Sequence, residues 1–271
     1  MNKVPGLNSN VFFDPVGLPF SQVSSIDPDA QAWIDMMTSP TDIEINSINT
    51  FVIADKSSGN WALRDELWIR SLGSVNGLIG AKGTNGTAYG GITWSVNGAK
   101  YNGTTGYIDD GFDLGADGVN YVASDGRIDL FIKTAASVHT IDQCMTGVYD
   151  GSGTTQIREQ SSGFVNGTIN KNSSIINTEN ILSNTYYSWK FYVTPAVYKN
   201  SVDVTTSTGL NTPLVPTGYN LTEGARNRIG VIDSYTDMEI SFKSICAANG
   251  FDEAASNTDI RQLLNDLGLT L

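Results

Sequence analysis

The sequence is poor in charge, in cysteine and above all in histidine. Only 16% of the 271 residues are charged, and there are two cysteines and one histidine. Two cysteines cannot build a disulfide scaffold, and Cys144 and Cys246 lack the spacing of a zinc site. Because both lie in apolar, strand-like runs, we predict buried thiols rather than a bridge. His139 has no serine or cysteine partner in a nucleophile motif, which excludes triad chemistry and predicts a loop histidine.

Basic residues and long apolar runs are also scarce. The chain has 16 Lys and Arg against 28 Asp and Glu, so its net charge is −12, and its pI is near 4.4. An acidic chain repels phosphate backbones and anionic membranes. No apolar run reaches the length of about 18 residues that a membrane-spanning helix needs, and the first 20 residues lack the apolar core of a secretory signal. We predict neither a nucleic-acid partner nor membrane insertion.

Glycine and apolar residues in short alternating runs dominate what remains. There are 28 glycines, and 40% of the residues are hydrophobic, a composition typical of a packed core of short strands joined by tight turns. From about residue 72 some eleven strands follow one another without helices, which predicts an antiparallel sandwich or jelly roll. The predicted strands are 91–96, 105–108, 128–134, 144–149, 155–158, 163–170, 186–193, 196–198, 201–206, 228–231 and 237–247.

The N-terminal quarter has a different pattern. Residues 1–25 contain three prolines and several apolar residues, which predicts an extended arm that packs on its own domain or on a neighbouring subunit. Asp27 and Pro28 predict a helix start. The apolar residues of 43–52 fit a helix or a strand, and those of 61–69 predict a short amphipathic helix.

The C-terminal residues predict one more helix. Asn257, Thr258 and Asp259 provide capping side chains, and Gly268 provides a stop. Between them lies a stripe of apolar residues at helical spacing. The stripe comprises Ile260, Leu263, Leu264 and Leu267.

A turn at residues 101–108 (YNGTTGYI) leads into a predicted strand. Asn-Gly supplies the positive φ angles of a tight turn, so this segment predicts an early hairpin of the sandwich. Asn-Gly-Thr also occurs at Asn85, Asn102 and Asn166. Because the intervals differ, these are repeated turns rather than repeated structural units.

Several segments together resemble the concanavalin A-like lectin/glucanase (laminin G-type) jelly roll. The first three are the turn at 101–108, the strand 127–134 (RIDLFIKT) and the hairpin 198–204 (YKNSVDV), in which serine replaces the family's usual glycine. The fourth is the closing part of the chain, which runs from 228–230 (RIG) through 238–247 to the last helix. Upstream, 48–51 (INTF) and 65–69 (DELWI), followed by a Gly-rich region, resemble phage structural proteins.

The resemblance implies an all-β fold, a concanavalin A-like jelly-roll β-sandwich with an N-terminal arm, short helices and a C-terminal helix. It implies a division into residues 1–71, an arm with helices for docking and assembly, and residues 72–271, the jelly roll.

Glucanases of this fold need two carboxylates and an orienting aspartate on one strand. Residues 42–46 (DIEIN) and 237–241 (DMEIS) place two acids at alternate positions, but the third position holds asparagine or serine. We therefore predict that the protein is not an enzyme. No cofactor is predicted, although Asp109, Asp110 and Asp113 could offer oxygen ligands to calcium.

Sugar binding requires an exposed aromatic ring beside polar side chains. Three tyrosines in predicted loops lie next to such groups. The carbohydrate-binding candidates are Tyr149, Asp150, Tyr219, Asn220, Asp233 and Tyr235.

These features predict a non-enzymatic phage virion protein, either a capsid decoration or a tail or fibre component. Its expected location is the virion, and its expected partners are other virion proteins, further copies of itself and a host-surface glycan contacted by the jelly roll. Two alternatives stay open, namely a laminarinase-like glycan-degrading enzyme and a soluble carbohydrate-binding lectin.

Overall fold

Two β-sheets pack face to face, and a layer of helices covers the outer face of one of them. The structure, a computed structural model, describes residues 25–137, 142–160, 165–171, 176–178, 181–192, 195–206 and 213–271. The predicted N-terminal arm, up to residue 24, and His139 lie outside the described residues. The prediction of an all-β sandwich with short helices and a C-terminal helix is confirmed.

Sheet 1 has eight strands in the described residues. They are β1 (Arg64–Ile69), β3 (Ile92–Ser95), β4 (Gly98–Tyr101), β6 (Asp125–Thr134), β11 (Thr185–Tyr192), β12 (Ala196–Lys199), β13 (Val202–Asp203) and β17 (Glu239–Cys246). Their spatial order is β13-β12-β11-β6-β17-β4-β3, with β1 beside β17. All pairings in this sheet are antiparallel.

Sheet 2 has nine strands in the same part of the chain. They are β2 (Thr87–Tyr89), β5 (Tyr107–Asp109), β7 (Gln143–Tyr149), β8 (Thr154–Glu159), β9 (Val165–Lys171), β10 (Ile176–Thr178), β14 (Thr222–Glu223), β15 (Arg226–Arg228) and β16 (Val231–Asp233). Their order is β10-β9-β8-β7-β14-β5-β2. The hairpin of β15 and β16 joins this sheet through a parallel pairing of β15 with β7.

The helical layer begins with two helices whose starts are set by local capping. The carboxylate of Asp27 accepts a hydrogen bond from the backbone N–H of Asp29 at 2.9 Å. Thr41 and Glu44 form a reciprocal capping box, which decides the ambiguous stretch 43–52 in favour of a helix. The helices are α1 (Pro28–Asp35), α2 (Asp42–Ser57), α3 (Asn60–Leu63), α4 (Gly73–Asn76) and α5 (Glu253–Asp266), with a 3-10 turn at Arg70–Leu72.

The strands of sheet 1 divide their side chains between two cores. On β6, Ile128, Leu130 and Ile132 enter the core between the sheets, whereas Phe131 packs under the helices. This alternation follows from the two-residue period of a strand. The central strands β1, β6, β11 and β17 are buried on both faces, and Phe131, Tyr186 and Phe242 give the helices an apolar surface to pack on.

Buried guanidinium groups cross-link the helices to sheet 1. Arg64 donates to both carboxylate oxygens of Asp55 at 2.7 and 2.8 Å, and both side chains are fully buried. Arg127 of β6 donates to Glu253 of helix α5 at 2.6 Å and to Asp129 at 2.7 Å. The ring of Phe251 lies 5.0 Å from the guanidinium carbon of Arg64 and 3.9 Å from that of Arg127. These ion pairs fix the helices on the sheet because neither guanidinium group can reach water.

The Asn-Gly segment is not a hairpin turn, and our prediction there was wrong. β4 ends at Tyr101 in sheet 1 and β5 begins at Tyr107 in sheet 2, so residues 102–106 cross from one sheet to the other. The side-chain oxygen of Asn102 accepts hydrogen bonds from the backbone N–H groups of residues 104, 105 and 106. Gly103 has φ +74°, so the prediction of a turn with a positive φ angle was correct. The prediction that the strands on either side of the turn pair with each other was wrong.

Three other local predictions need correction. Residues 64–69 form strand β1 rather than a helix, because Leu67 and Trp68 are buried on opposite faces of sheet 1. Helix α5 begins at Glu253 under an Asp252 cap, five residues before Asn257, the first of the predicted capping residues. Residues 228–231 are a hairpin turn rather than one strand.

The cysteines are interior residues, as predicted. Cys144 and Cys246 are free and buried, and burial raises the pKa of the Cys144 thiol to about 12. Four tryptophans are buried and Trp94 is half-buried. The four are Trp33, Trp61, Trp68 and Trp189.

The two predicted parts of the chain share one sheet. β1 belongs to the segment 1–71, yet it pairs with β17 of the segment 72–271. A docking role for the first segment stays a prediction. No helix in the described ranges is long and apolar enough to cross a membrane.

Candidate functional site

The outer face of sheet 2 carries no described helix. The apolar core under the helices draws its sheet residues from sheet 1, including Phe131 and Phe242. On sheet 2, Val148 and Ile157 point into the core between the sheets. Their neighbours along β7 and β8 therefore point outwards.

Three tyrosines form an aromatic surface at one side of this face. Ile108 enters the core, so Tyr107 points outwards, directly opposite Tyr89 on the edge strand β2. The two rings stack with centroids 4.8 Å apart and planes at 12°. The ring of Tyr235 lies 6.4 Å from that of Tyr107, tilted by 58°. We call Tyr89, Tyr107 and Tyr235 the tyrosine platform.

The platform is partly open to solvent. Tyr89 is 44% exposed, and Tyr107 and Tyr235 are half-buried. Burial, followed by the neighbouring phenols, raises the pKa of the Tyr107 hydroxyl. The group therefore stays a neutral hydrogen-bonding phenol at physiological pH, beside a flat aromatic surface.

Three of the six predicted sugar-binding residues lie on this outer side of sheet 2: Tyr149, Asp233 and Tyr235. Asp233 accepts two hydrogen bonds from Arg226, both at 2.8 Å. The same guanidinium donates to the side-chain oxygen of Gln156 at 3.1 Å. The partly exposed side chains of Arg226 and Asp233 are thus already held in place, and Gln156 is buried.

The other three predicted residues lie in loops at one end of sheet 2. Asp150 accepts hydrogen bonds from the backbone N–H groups of residues 152, 153 and 217, so its carboxylate organises two loops. The carbonyl of Asn220 accepts from the side chain of Asn227 at 3.1 Å. Tyr219 packs against the core between the sheets.

Sequence reasoning missed Tyr89 and Tyr107. The alternation of Tyr107 with Ile108 indicated that its ring points away from the core. The stacking itself depends on the register of β2 against β5, and no local pattern in the sequence reveals that register.

Two carboxylates do come together, but inside the sandwich. Asp110 and Glu223 both accept hydrogen bonds from Arg70, at 2.6 and 3.1 Å. Lys243 donates to Asp110, and the hydroxyl of Tyr101 donates to Glu223 at 2.5 Å. We call these five residues the buried charge cluster; each is at most 1% exposed.

The cluster is electrically balanced and sealed from solvent. Burial raises the pKa of Asp110 against the opposing effect of Lys243 and Arg70. Burial would also lower the pKa of Arg70, but Glu223 and Asp110 hold it above its ordinary value. Glycoside hydrolysis needs carboxyl groups that flank a bound sugar, and a sugar cannot reach these.

The carboxylates of the two acidic sequence patterns are separated or engaged in other contacts. Asp42 and Glu44 lie in helix α2, where a spacing of two residues places side chains on different faces. Glu239 accepts a hydrogen bond from Thr134 at 2.8 Å on the neighbouring strand. Asp237 accepts hydrogen bonds from Ser137.

The calcium candidates are engaged in other contacts. The oxygens of Asp110 bind Arg70 and Lys243, while Asp109 and Asp113 accept hydrogen bonds from backbone N–H groups. Among the residues that the structure describes, no group of three or more His, Cys, Asp or Glu side chains could hold a metal ion. Calcium binding at Asp109 or Asp113 stays a prediction.

No family model matches the sequence, and no curated protein matches it significantly. Solved structures do resemble its fold. Trypanosoma rangeli sialidase in complex with 2,3-difluorosialic acid matches with a TM-score of 0.54 and 11% identity, over 80% of this chain and 39% of that chain. Another structure of Trypanosoma rangeli sialidase matches with a TM-score of 0.54 and 9% identity, over 81% and 39%. The chain thus spans about two fifths of the sialidase chains.

Domain 4 of AbnA, a GH43 extracellular arabinanase from Geobacillus stearothermophilus, matches with a TM-score of 0.47 and 14% identity, over 71% of this chain and 97% of that chain. The prediction of a non-enzymatic phage virion protein is corrected by the similarity to the sialidase structures, which give a phage assignment no support. At such low identity the similarity to the sialidase shows a shared β-sandwich fold.

Proposed function

We propose that this protein binds glycans on the outer face of sheet 2 and does not cleave them. The observation that carries the proposal is the tyrosine platform, in which stacked rings lie partly exposed on a face lined by polar side chains. Aromatic rings stack on the apolar face of a pyranose, and polar groups bind its hydroxyls. The resemblance to a sialidase that holds a sialic acid derivative agrees with this ligand class.

The positions of the acids support the proposed absence of cleavage. The two carboxylates that share Arg70 are buried between the sheets and already neutralised by cations. On the outer face, Asp233 is tied to Arg226 by two hydrogen bonds. Both of its carboxylate oxygens are therefore already engaged by the guanidinium group.

The test is a binding screen of the full chain on an array of neutral, amino and acidic glycans, with hydrolysis of each bound glycan measured in the same samples. We expect binding without cleavage. Replacing Tyr107 or Tyr235 by alanine removes a central ring, and we expect the affinity to fall about tenfold or more.

Tyr198 provides the matched control. It is a half-buried tyrosine on β12 of sheet 1, with Lys190 4.5 Å from its ring. Tyr198→Ala should leave glycan binding within about twofold of the original. Cleavage of a bound glycan, or equal losses from Tyr198→Ala and Tyr107→Ala, would contradict the proposal.

A further inference from the structure

We propose that the ligand is a chain of several sugars that runs across sheet 2 from the tyrosine platform to a second stacking position at Tyr149. This inference rests on the proposed function and adds the length and the direction of the ligand. Tyr149 points to the same side of the sheet as the platform, because the preceding Val148 enters the core between the sheets.

The separation between the two positions follows from the strand pairings. Thr222 of β14 pairs with Gly147 of β7 and with Asp109 of β5. Tyr107 and Tyr149 are therefore two strands apart and four residues apart along the strand direction. This corresponds to about 10 Å across the sheet and about 13 Å along it, or about 16 Å in a straight line. A single sugar cannot bridge this distance, whereas a chain of several sugars can.

The surface between the two positions is polar and rigid. Arg226 and Asp233 pair across the β15–β16 hairpin, and Arg226 also holds Gln156 on β8. Gln156 is buried, whereas Arg226 and Asp233 are half-buried, so the guanidinium and the carboxylate are the groups that a ligand can contact. Side chains that are already ordered lose little entropy when they bind hydroxyl groups. This stretch therefore suits the middle of an extended chain.

The ring of Tyr149 is held in place by its surroundings. Its hydroxyl donates to the carbonyl of Gly151 at 3.1 Å, and the guanidinium carbon of Arg228 lies 5.9 Å from the ring centroid. The backbone carbonyl of Tyr149 accepts from the N–H of Ile229 at 2.9 Å. The ring thus lies beside the turn of the β15–β16 hairpin.

This turn has an unusual residue. Ile229 has φ +53° and Gly230 has φ +80°. Glycine adopts such angles freely, but a β-branched residue does so only with strain. Ile229 is nevertheless 48% exposed, and Val231 is 65% exposed. Burial does not explain an isoleucine here, whereas contact with a ligand at Tyr149 does, since strained residues cluster at binding sites.

The experiment compares a disaccharide with the hexasaccharide of the same glycan, chosen from the array, by titration calorimetry. We expect the hexasaccharide to bind at least tenfold more tightly. Tyr149→Ala should remove most of this gain and leave disaccharide affinity within about twofold. Tyr107→Ala should weaken both ligands, and Tyr198→Ala should weaken neither.

Ile229→Gly separates a ligand contact from a merely structural role. Glycine relieves the strained φ, so the urea midpoint should stay the same or rise, while hexasaccharide affinity falls. Equal affinity for both lengths, or a Tyr149→Ala variant that keeps the full gain, would overturn the inference and leave the proposed function intact. Failure of every glycan to bind would overturn both.

Discussion

The buried charge cluster gives the sharpest test of how the sandwich is held together, through the single change Lys243→Met. The ammonium group of Lys243 donates to Asp110 and, at 2.6 Å, to the hydroxyl of Thr146. Asp110 and Glu223 also bind Arg70. In the native chain two cations therefore face two carboxylates, and all four charged side chains are fully buried.

The magnitude follows from the charge that is left behind. Methionine fills a similar volume but leaves two buried carboxylates with one guanidinium. Removing one partner of a buried ion pair costs about 3 to 5 kcal/mol. Because a domain is stable by only about 5 to 15 kcal/mol, Lys243→Met should remove a large fraction of the free energy of unfolding at pH 7.

The destabilisation caused by Lys243→Met should decrease as the pH falls. Burial holds the pKa of Asp110 above its unfolded value, so the folded state binds more protons than the unfolded state. With such a group the free energy of unfolding decreases as the pH rises, and it recovers as the pH falls through the folded-state pKa. Without Lys243 the pKa of Asp110 rises further, so the destabilisation should be smaller at pH 5 than at pH 7.

The assay is equilibrium unfolding in urea, with Lys243→Met, Asp110→Asn and the double variant measured at both pH values. The double variant retains the Arg70–Glu223 pair and has no net buried charge. It should therefore be more stable than Lys243→Met, with a coupling energy of about 1 to 3 kcal/mol. A loss below about 1 kcal/mol for Lys243→Met at pH 7, or purely additive single effects, would refute the reasoning.

Two further predictions concern a glycine and a helix cap. Gly224 has φ +81°, and a Cβ there would lie 2.3 Å from ring atoms of Tyr101, whereas Gly59 has φ +84° and open space around it. In urea unfolding, Gly224→Ala should therefore reduce the free energy of unfolding by about 2 to 5 kcal/mol and Gly59→Ala by only about 1 to 2 kcal/mol. Equal losses would contradict the close approach of Tyr101 to Gly224. The hydrogen bond from Lys56 lowers the pKa of Asp27 below its ordinary value of 3.8. The stability that this pairing contributes is therefore present above that pH and is lost below it. Asp27→Ala should reduce the free energy of unfolding by about 1 kcal/mol at pH 7 and by less near pH 3. An equal reduction at both pH values would contradict the pairing.

Capping residues and the spacing of apolar residues predicted helices, because both signals act between residues that are close together in the sequence. The Asp27-Pro28 cap and the apolar stripe of α5 each involve residues within a few positions of one another, and both correspond to helices in the structure. The Asn102-Gly103 turn was predicted from the same kind of signal. Turn residues show that the chain reverses, but they do not show which sheet it enters.

The candidate site depended on contacts that are distant in the sequence. Tyr89 stacks on Tyr107 because β2 and β5 pair in one particular register, and Tyr235 joins them from more than a hundred residues further along the chain. The buried charge cluster also combines segments from Arg70 to Lys243. Each charged residue alone is typical of a solvated surface, so only the three-dimensional arrangement identifies them as interior.

The cluster and the proposed binding face are linked through one strand. Asp110 directly follows β5, which carries Tyr107, and Glu223 pairs with Ile108 of the same strand. The charges of Arg70 and Lys243 therefore tie β5 to the rest of the sandwich a few residues from the stacked rings. The helices pack on the central strands of sheet 1, whereas the proposed binding face lies on sheet 2. A buried network beneath that face holds β5 in place, and a platform that is already ordered loses less entropy when it binds a ligand.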